Sequence, residues 1–202
     1  MTTFAQLQTD VYSITGRPDR VSETQIGIRR ATLKFHMADF WLQDLVKDAV
    51  VPVTPLFVSD FRYQIDTTQS PFLRFRRAQQ VRQYLNPPTG TELYFDRVEA
   101  NDLIDDYAIE KWNYWYQAGT SIQVRSDTGM TNIAVNYYRY PVVTADLNYS
   151  SWIADIFSDA ITMEAAAEVF KAIGKDDEFQ RMRAEYLDNL SLLRTMVTSR
   201  GE

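Results

Sequence analysis

The stretch KWNYWYQAGTSIQVRS, Lys111 to Ser126, puts four aromatic residues within five positions, breaks at Ala118-Gly119-Thr120, and then alternates Ile122 and Val124 with Gln123 and Arg125. Period-two alternation on both sides of a glycine turn predicts a β-hairpin. On that spacing Trp112, Tyr114 and Tyr116 share one face of the strand and Trp115 takes the other. Rings on both faces imply that both are covered or that one meets a partner. The hairpin is therefore read as a core and contact strand. On this reading, losing the Trp112 ring unfolds the module, and losing Trp115, as a contact residue, leaves a folded chain that fails to assemble.

The same period extends outward. Phe57, Phe61, Tyr63 and Ile65, then Phe72 and Phe75, Leu93 and Phe95, and Ile133, Val135 and Tyr137 follow it, with turn chemistry at NPPTG (Asn86 to Gly90) and SDTGM (Ser126 to Met130). This predicts an antiparallel β module of about five to seven short strands. The flanks read differently. Phe4, Leu7 and Val11 fall at helical spacing, and ITGRPD (Ile14 to Asp19) is a turn. A longer helix is expected from Val21, capped by Asp19 or Ser22, with Ile26, Leu33, Phe35 and Met37 as its apolar surface and Gly27 as a weak point. A further helical stretch is expected over 39–50, stopped by Pro52 and Pro55. Beyond Ser150, Trp152, Ile156, Ala160, Met163, Ala167, Phe170 and Ile173 recur every three or four residues up to Gly174, a left-handed cap. Asp176 or Asp177 then caps a last helix lined by Phe179, Met182, Tyr186, Leu190 and Leu193. The expected fold class is α+β: a helical bundle from the N- and C-terminal helices (1–50 and 150–202) carrying an inserted antiparallel β module (51–149).

Composition narrows the function. Hydrophobic residues make up 45% and aromatics 13% of 202 residues, enough for a packed core. The formal net charge is −6, which argues against gripping duplex DNA as the main task, because phosphate neutralisation supplies most of that affinity. Cysteine is absent, which removes disulfides and thiolate chemistry. No apolar run approaches the roughly 18 residues of a membrane span. MTTFAQLQTDVYS has neither the basic start nor the apolar stretch of a secretion signal, so folding in the cytosol is expected and the Asn148 and Asn189 sequons carry little meaning.

Catalytic equipment is sparse. His36, the one histidine, falls among apolar helical residues in LKFHMADFW and is read as structural. The carboxylate pairs Asp105-Asp106, Asp155/Asp159 and Asp176-Asp177 lack the second ligand set that a metal needs, and are read as solvent-facing or capping. No phosphate loop, dinucleotide fingerprint or nucleophile elbow occurs among the seven glycines. No enzyme, cofactor or metal is expected. FLRFRRAQQVRQY (Phe72 to Tyr84) interleaves Arg74, Arg76, Arg77 and Arg82 with rings, as single-strand binders do. The plainer alternative is a strand with core-facing Phe and outward Arg. Tyr and Trp in such number suit an assembly subunit, since they anchor interfaces.

Two segments carry a resemblance. AGTSIQVRSDTGMTNIAVNYYRYPVVT (Ala118 to Thr144) resembles the β region of head-to-tail adaptor proteins of tailed bacteriophages, where a Gly-bounded strand leads to one ending in paired tyrosines and Tyr-Pro. SSWIADIFSDAITMEAAAEVFKAIGKDDEFQRMRAEYLDNLSLL (Ser150 to Leu193) is similar to their C-terminal helical hairpin, and ITGRPDRVSETQIGIRRATLKFH to their N-terminal helix start. The resemblance implies a structural virion protein of the neck or collar, made in the host cytoplasm. It binds beneath the portal protein as a ring, commonly of about twelve copies, extends the DNA channel and docks the tail. The portal contact would fall on the helix from Phe179 to Leu193, through Phe179, Met182, Tyr186, Leu190 and Leu193, and on the tail with Arg194 and Arg200. Trp112, Tyr114, Trp115, Tyr116, Arg74, Arg76 and Arg77 are the candidates for subunit and tail or fibre contacts. Contact with genomic DNA would be transient, and no membrane is involved. The rival readings are another tail or neck component, such as a tube or fibre-attachment protein, and a nucleic-acid-binding accessory protein.

Overall fold

The computed structural model describes residues 1–56, 61–99, 112–142, 144 and 146–198. The chain divides into two compact units, residues 1–43 with 141–202 and residues 44–140.

Among the described residues the first unit holds four helices: α1 (Phe4–Thr15), α2 (Val21–Met37), α3 (Trp152–Ala172) and α4 (Asp176–Thr198). Thr3 opens α1 through a capping box with Gln6, and Gly16 ends it at φ +63° with its amide on the Tyr12 carbonyl. Phe4, Leu7 and Val11 are buried, as their spacing predicts. α3 buries apolar residues on most of its circumference, and α1, α2 and α4 all pack on it. A helix with that composition has to be enclosed by other helices. It starts on Ser151, whose hydroxyl accepts the Ala154 amide at 3.2 Å, and is interrupted at Phe157 (φ −148°, ψ 68°). It ends in a Schellman motif: Gly174 at φ +75° donates to Lys171, and Lys175 donates to Phe170 at 3.0 Å.

Where α2 crosses α3, a Cβ built on Gly27 would lie 2.9 Å from the Ala165 carbonyl oxygen and 3.3 Å from its Cα. The weak point of the isolated helix is thus a point of close helix contact. The face of α2 follows from this crossing. Ile28, Ala31, Phe35 and His36 are buried, whereas Ile26, Leu33 and Met37, expected as core, are exposed. No side chain caps α2, which begins after Arg20, and Asp176 and Asp177 lie inside the first turn of α4 rather than before it. There their charge favours the helix N-terminus.

The second unit is a seven-stranded sheet: β1 (Leu45–Pro52), β2 (Arg62–Asp66), β3 (Phe75–Gln83), β4 (Tyr94–Arg97), β5 (Tyr114–Ala118), β6 (Ser121–Arg125) and β7 (Asn132–Arg139), in the order β1-β7-β3-β4-β5-β6-β2. Two corrections follow. The helix expected over 39–50 is a short 3-10 turn, Leu42–Asp44, and then β1, whose valines pair with β7. Three valines in eight residues favour the pleated surface once a partner strand lies alongside. The expected fold class is overturned as well. In place of a helical bundle with a small antiparallel insertion, the chain shows a curled mixed sheet, a half-barrel with a core of its own, and four helices, at 42% helix and 25% strand. The sheet is mixed because β4 and β5 run parallel, Asp96 opposite Tyr114 and Arg97 opposite Trp115. Alternation identifies strands but not their direction, and a parallel join needs a crossover longer than a turn. Phe57 and Asp105-Asp106 lie outside the described residues.

Gly27→Ala tests the helix crossing. On an open helix face this change stabilises by about 1 kcal/mol. Here it should destabilise by roughly 1–3 kcal/mol through overpacking. Urea denaturation reads the sign, and a rise in stability would refute the close approach.

Candidate functional site

α4 turns the apolar side chains expected at the portal inward. Met182 and Leu193 are buried in the core of the helical unit, and Phe179, Tyr186 and Leu190 pack against it. Tyr186 meets Phe35 at 5.2 Å between ring centroids. The Lys34 ammonium lies 3.6 Å over the centre of its ring and pairs with the buried carboxylate of Glu164. Burial raises the Tyr186 hydroxyl above the ordinary tyrosine range, and the Glu164 charge adds to the rise. Arg30 pairs with Glu168 at 3.2 Å, so two cations of α2 bind two carboxylates of α3 along the crossing. None of this was legible in the sequence, because partners 130 or more positions apart have no local signal.

Arg194 ties the last turn of α4 to the end of α2, with Nε donating to Asp39 at 3.1 Å and Nη2 to the Ala38 carbonyl at 3.3 Å. Leu192 (54% exposed) and Met196, four residues apart, share an outward face of α4, Leu33 and Met37 share an outward face of α2, and Phe40 and Leu42 (60%) are exposed in the segment after it. Leu192 and Met196 were not singled out by the sequence pattern. Arg200 lies outside the described residues.

In the β unit the two tryptophans exchange the roles expected of them. Asn113 takes φ +62°; its side-chain oxygen accepts the Asp127 amide at 3.1 Å and its side-chain nitrogen donates to the Asp127 carboxylate at 2.9 Å. That left-handed residue breaks the alternation between Trp112 and Tyr114. Trp115 is buried (1% exposed), opposite Val124 of β6. Trp112 is at the surface (37% exposed), with the Arg125 guanidinium 4.3 Å over its ring. Tyr114 and Tyr116 are half-buried.

The arginine segment divides in two. Phe72 is buried and forms a ring cluster with Phe75 and Tyr137, at centroid separations of 5.4–5.8 Å. Its ring is therefore enclosed in the core, which leaves no face for a nucleic-acid base. Arg82 pairs with Asp48 at 2.7 Å across β1, β7 and β3, where Asn136 also bonds the Asp48 amide. Arg76 and Arg77 are half-buried, while Arg74 is exposed at φ +55°, its carbonyl accepting the Tyr140 amide.

No family model and no curated protein matches the chain. The remaining chemical candidates have local roles. His36 is buried with its ring edge-on to Trp152 at 5.4 Å. Asp155 accepts the Thr2 amide at 2.6 Å and the Ser150 hydroxyl at 3.0 Å. Among the described residues no group of three or more His, Asp or Glu side chains is placed to hold a metal, and no helix is long and apolar enough to cross a membrane.

Two predictions follow from this geometry. Trp115→Ala should cost the β unit about 3–5 kcal/mol, whereas Trp112→Ala should stay within about 0.5 kcal/mol of the parent. Urea midpoints measured on both variants check the exchange, and equal losses would contradict it. The raised Tyr186 hydroxyl holds its proton more tightly in the folded state. It therefore contributes stability that is present below the ordinary tyrosine value, about 10, and is lost as pH rises beyond it. Tyr186→Phe should flatten the alkaline loss of stability relative to the parent, and an unchanged pH profile would exclude the coupling.

Proposed function

We propose that the chain is a structural virion protein, a head-to-tail adaptor that forms a ring beneath the portal of a tailed bacteriophage, extends the DNA channel and docks the tail. The observation that carries this reading is the exposed apolar face of α4 formed by Leu192 and Met196, with Leu33, Met37, Phe40 and Leu42 further exposed apolar side chains on and after α2. It falls on the same C-terminal helix that the resemblance assigns to the portal. Exposed apolar surface of this kind marks interaction sites. The inward side chains of α4 (Phe179, Met182, Tyr186, Leu190, Leu193) hold that helix in place, and its outward residues make the contact. Trp112 and the tyrosines of β5 leave the β unit available to tail or fibre proteins. A net charge of −6 suits a channel past which DNA slides rather than one that grips it.

Co-expression with the portal of the same virus, viewed by negative-stain electron microscopy, tests the reading. An extra collar of density on the portal ring is the expected result, and Leu192→Asp should abolish the collar while leaving urea stability within about 0.5 kcal/mol. Bare portal rings with the chain left in solution would overturn it in favour of another tail or neck component.

A further inference from the structure

A recess of about 210 Å³ lies between α1 and α3, lined by Asp10, Ser13 and Ile14 from one helix and Asp159, Thr162 and Met163 from the other. The two walls repeat the same chemistry at the same spacing: acid, then hydroxyl three residues on, then an aliphatic side chain at the fourth. Positions i, i+3 and i+4 share one helix face. The Thr2 amide bond to Asp155 sets the starts of the two helices side by side. The groove is thus entered at Asp10 and Asp159 and left at Ile14 and Met163, acidic at one end and aliphatic at the other. Among the described residues neither Asp10 nor Asp159 has an ion-pair partner, and Ile14 is exposed. The volume is below the roughly 300 Å³ at which small-molecule sites begin, so the guest is of side-chain size.

The β unit carries a matching pair. A tight turn, in which the Phe72 amide bonds the Gln69 carbonyl and the Leu73 amide bonds the Pro71 carbonyl, presents Leu73 (70% exposed) next to Arg74. Arg74 is exposed, held at φ +55° by the Tyr140 amide on its carbonyl, and has no ion-pair partner among the described residues. An aliphatic side chain beside a cation fits a groove with an aliphatic end and an acidic end.

We propose that copies of this chain associate head to tail, the Leu73-Arg74 tip of one inserting into the α1/α3 groove of the next. Leu73 meets Ile14 and Met163, and Arg74 meets Asp10 and Asp159. Copies that each carry a net charge of −6 repel one another, so a local meeting of opposite charges both orients the encounter and suppresses other registers. Tip and groove are different surfaces, which makes the contact heterologous, the kind that closes into a ring when its rotation permits. The choice of a second copy as guest rests on the ring-forming reading above.

The absence of cysteine makes a cross-linking test clean. Ser13→Cys at the groove and Ser70→Cys at the tip are near-isosteric changes at exposed positions that leave both aspartates, Leu73 and Arg74 in place. Mixed in solution with a short bismaleimide, they should form covalent dimer in roughly tenfold excess over Ser70→Cys mixed with Ser191→Cys on α4, because docking raises the effective concentration of the two thiols. The excess should shrink in high salt, which screens the exposed charges. It should vanish with Arg74→Glu in the tip copy and return when Asp159→Arg is added to the groove copy. Dimer yield equal to the control pair, or an excess indifferent to Arg74→Glu, overturns the assignment. The outcomes are separable from those of the portal experiment. A collar that forms normally while the cross-link fails leaves the adaptor reading standing without this contact. A cross-link without a collar leaves the contact standing without the portal.

Discussion

The helical unit depends on one constraint: α3 is buried on most of its circumference. Ile153, Ala154, Ala160, Ile161, Ala165, Ala166, Ala167, Val169 and Phe170 are all buried, so α1, α2 and α4 must each cover a side. Small residues then set how near the neighbours come, as Gly27 does over Ala165. The same enclosure makes Glu164 costly unless it is paired. A buried carboxylate needs a cation within reach, and Lys34 supplies it while its ammonium lies over Tyr186. The face each surrounding helix presents outward is what remains after α3 is covered. That is why Leu33, Met37, Leu192 and Met196 are exposed although their type favours burial.

The sheet unit shows the same allocation in another form. Its core takes Trp115, Tyr63, Ile122, Ile133 and Tyr137, together with Phe72, against which Phe75 packs. The surface keeps Trp112 with Arg125, and Leu73 with Arg74. The two units thus offer chemically different surfaces.

Much of the fold was legible where signals are local. The turn at Gly16, the glycine stop at Gly174, the run from Trp152 to Ile173 at three- and four-residue spacing and the hairpin around Gly119 are all encoded within a few residues of where they act. Reading failed at β1, where a short apolar run before Pro52 satisfies helix and strand alike until β7 lies beside it. It failed again at β5, where period two separates Trp115 from Tyr114 and Tyr116 without saying which face the core covers. The candidate site was half legible. The C-terminal helix was identified, but Phe179, Met182, Tyr186, Leu190 and Leu193 form its inward face, since periodicity marks an apolar stripe without saying what covers it.

The sequence by itself determined that the chain combines helical ends with a strand-rich middle, that it lacks cysteine chemistry, and that its charge is acidic, because composition, period and turn residues act within a few positions. The tertiary structure alone decided the direction of β4 against β5, the partner of Glu164, the meeting of Gly27 with Ala165 and the pairing of Asp10 with Asp159 across one groove. Each of these joins residues far apart in the chain, and their proximity arises only when the buried surfaces of whole elements are packed together.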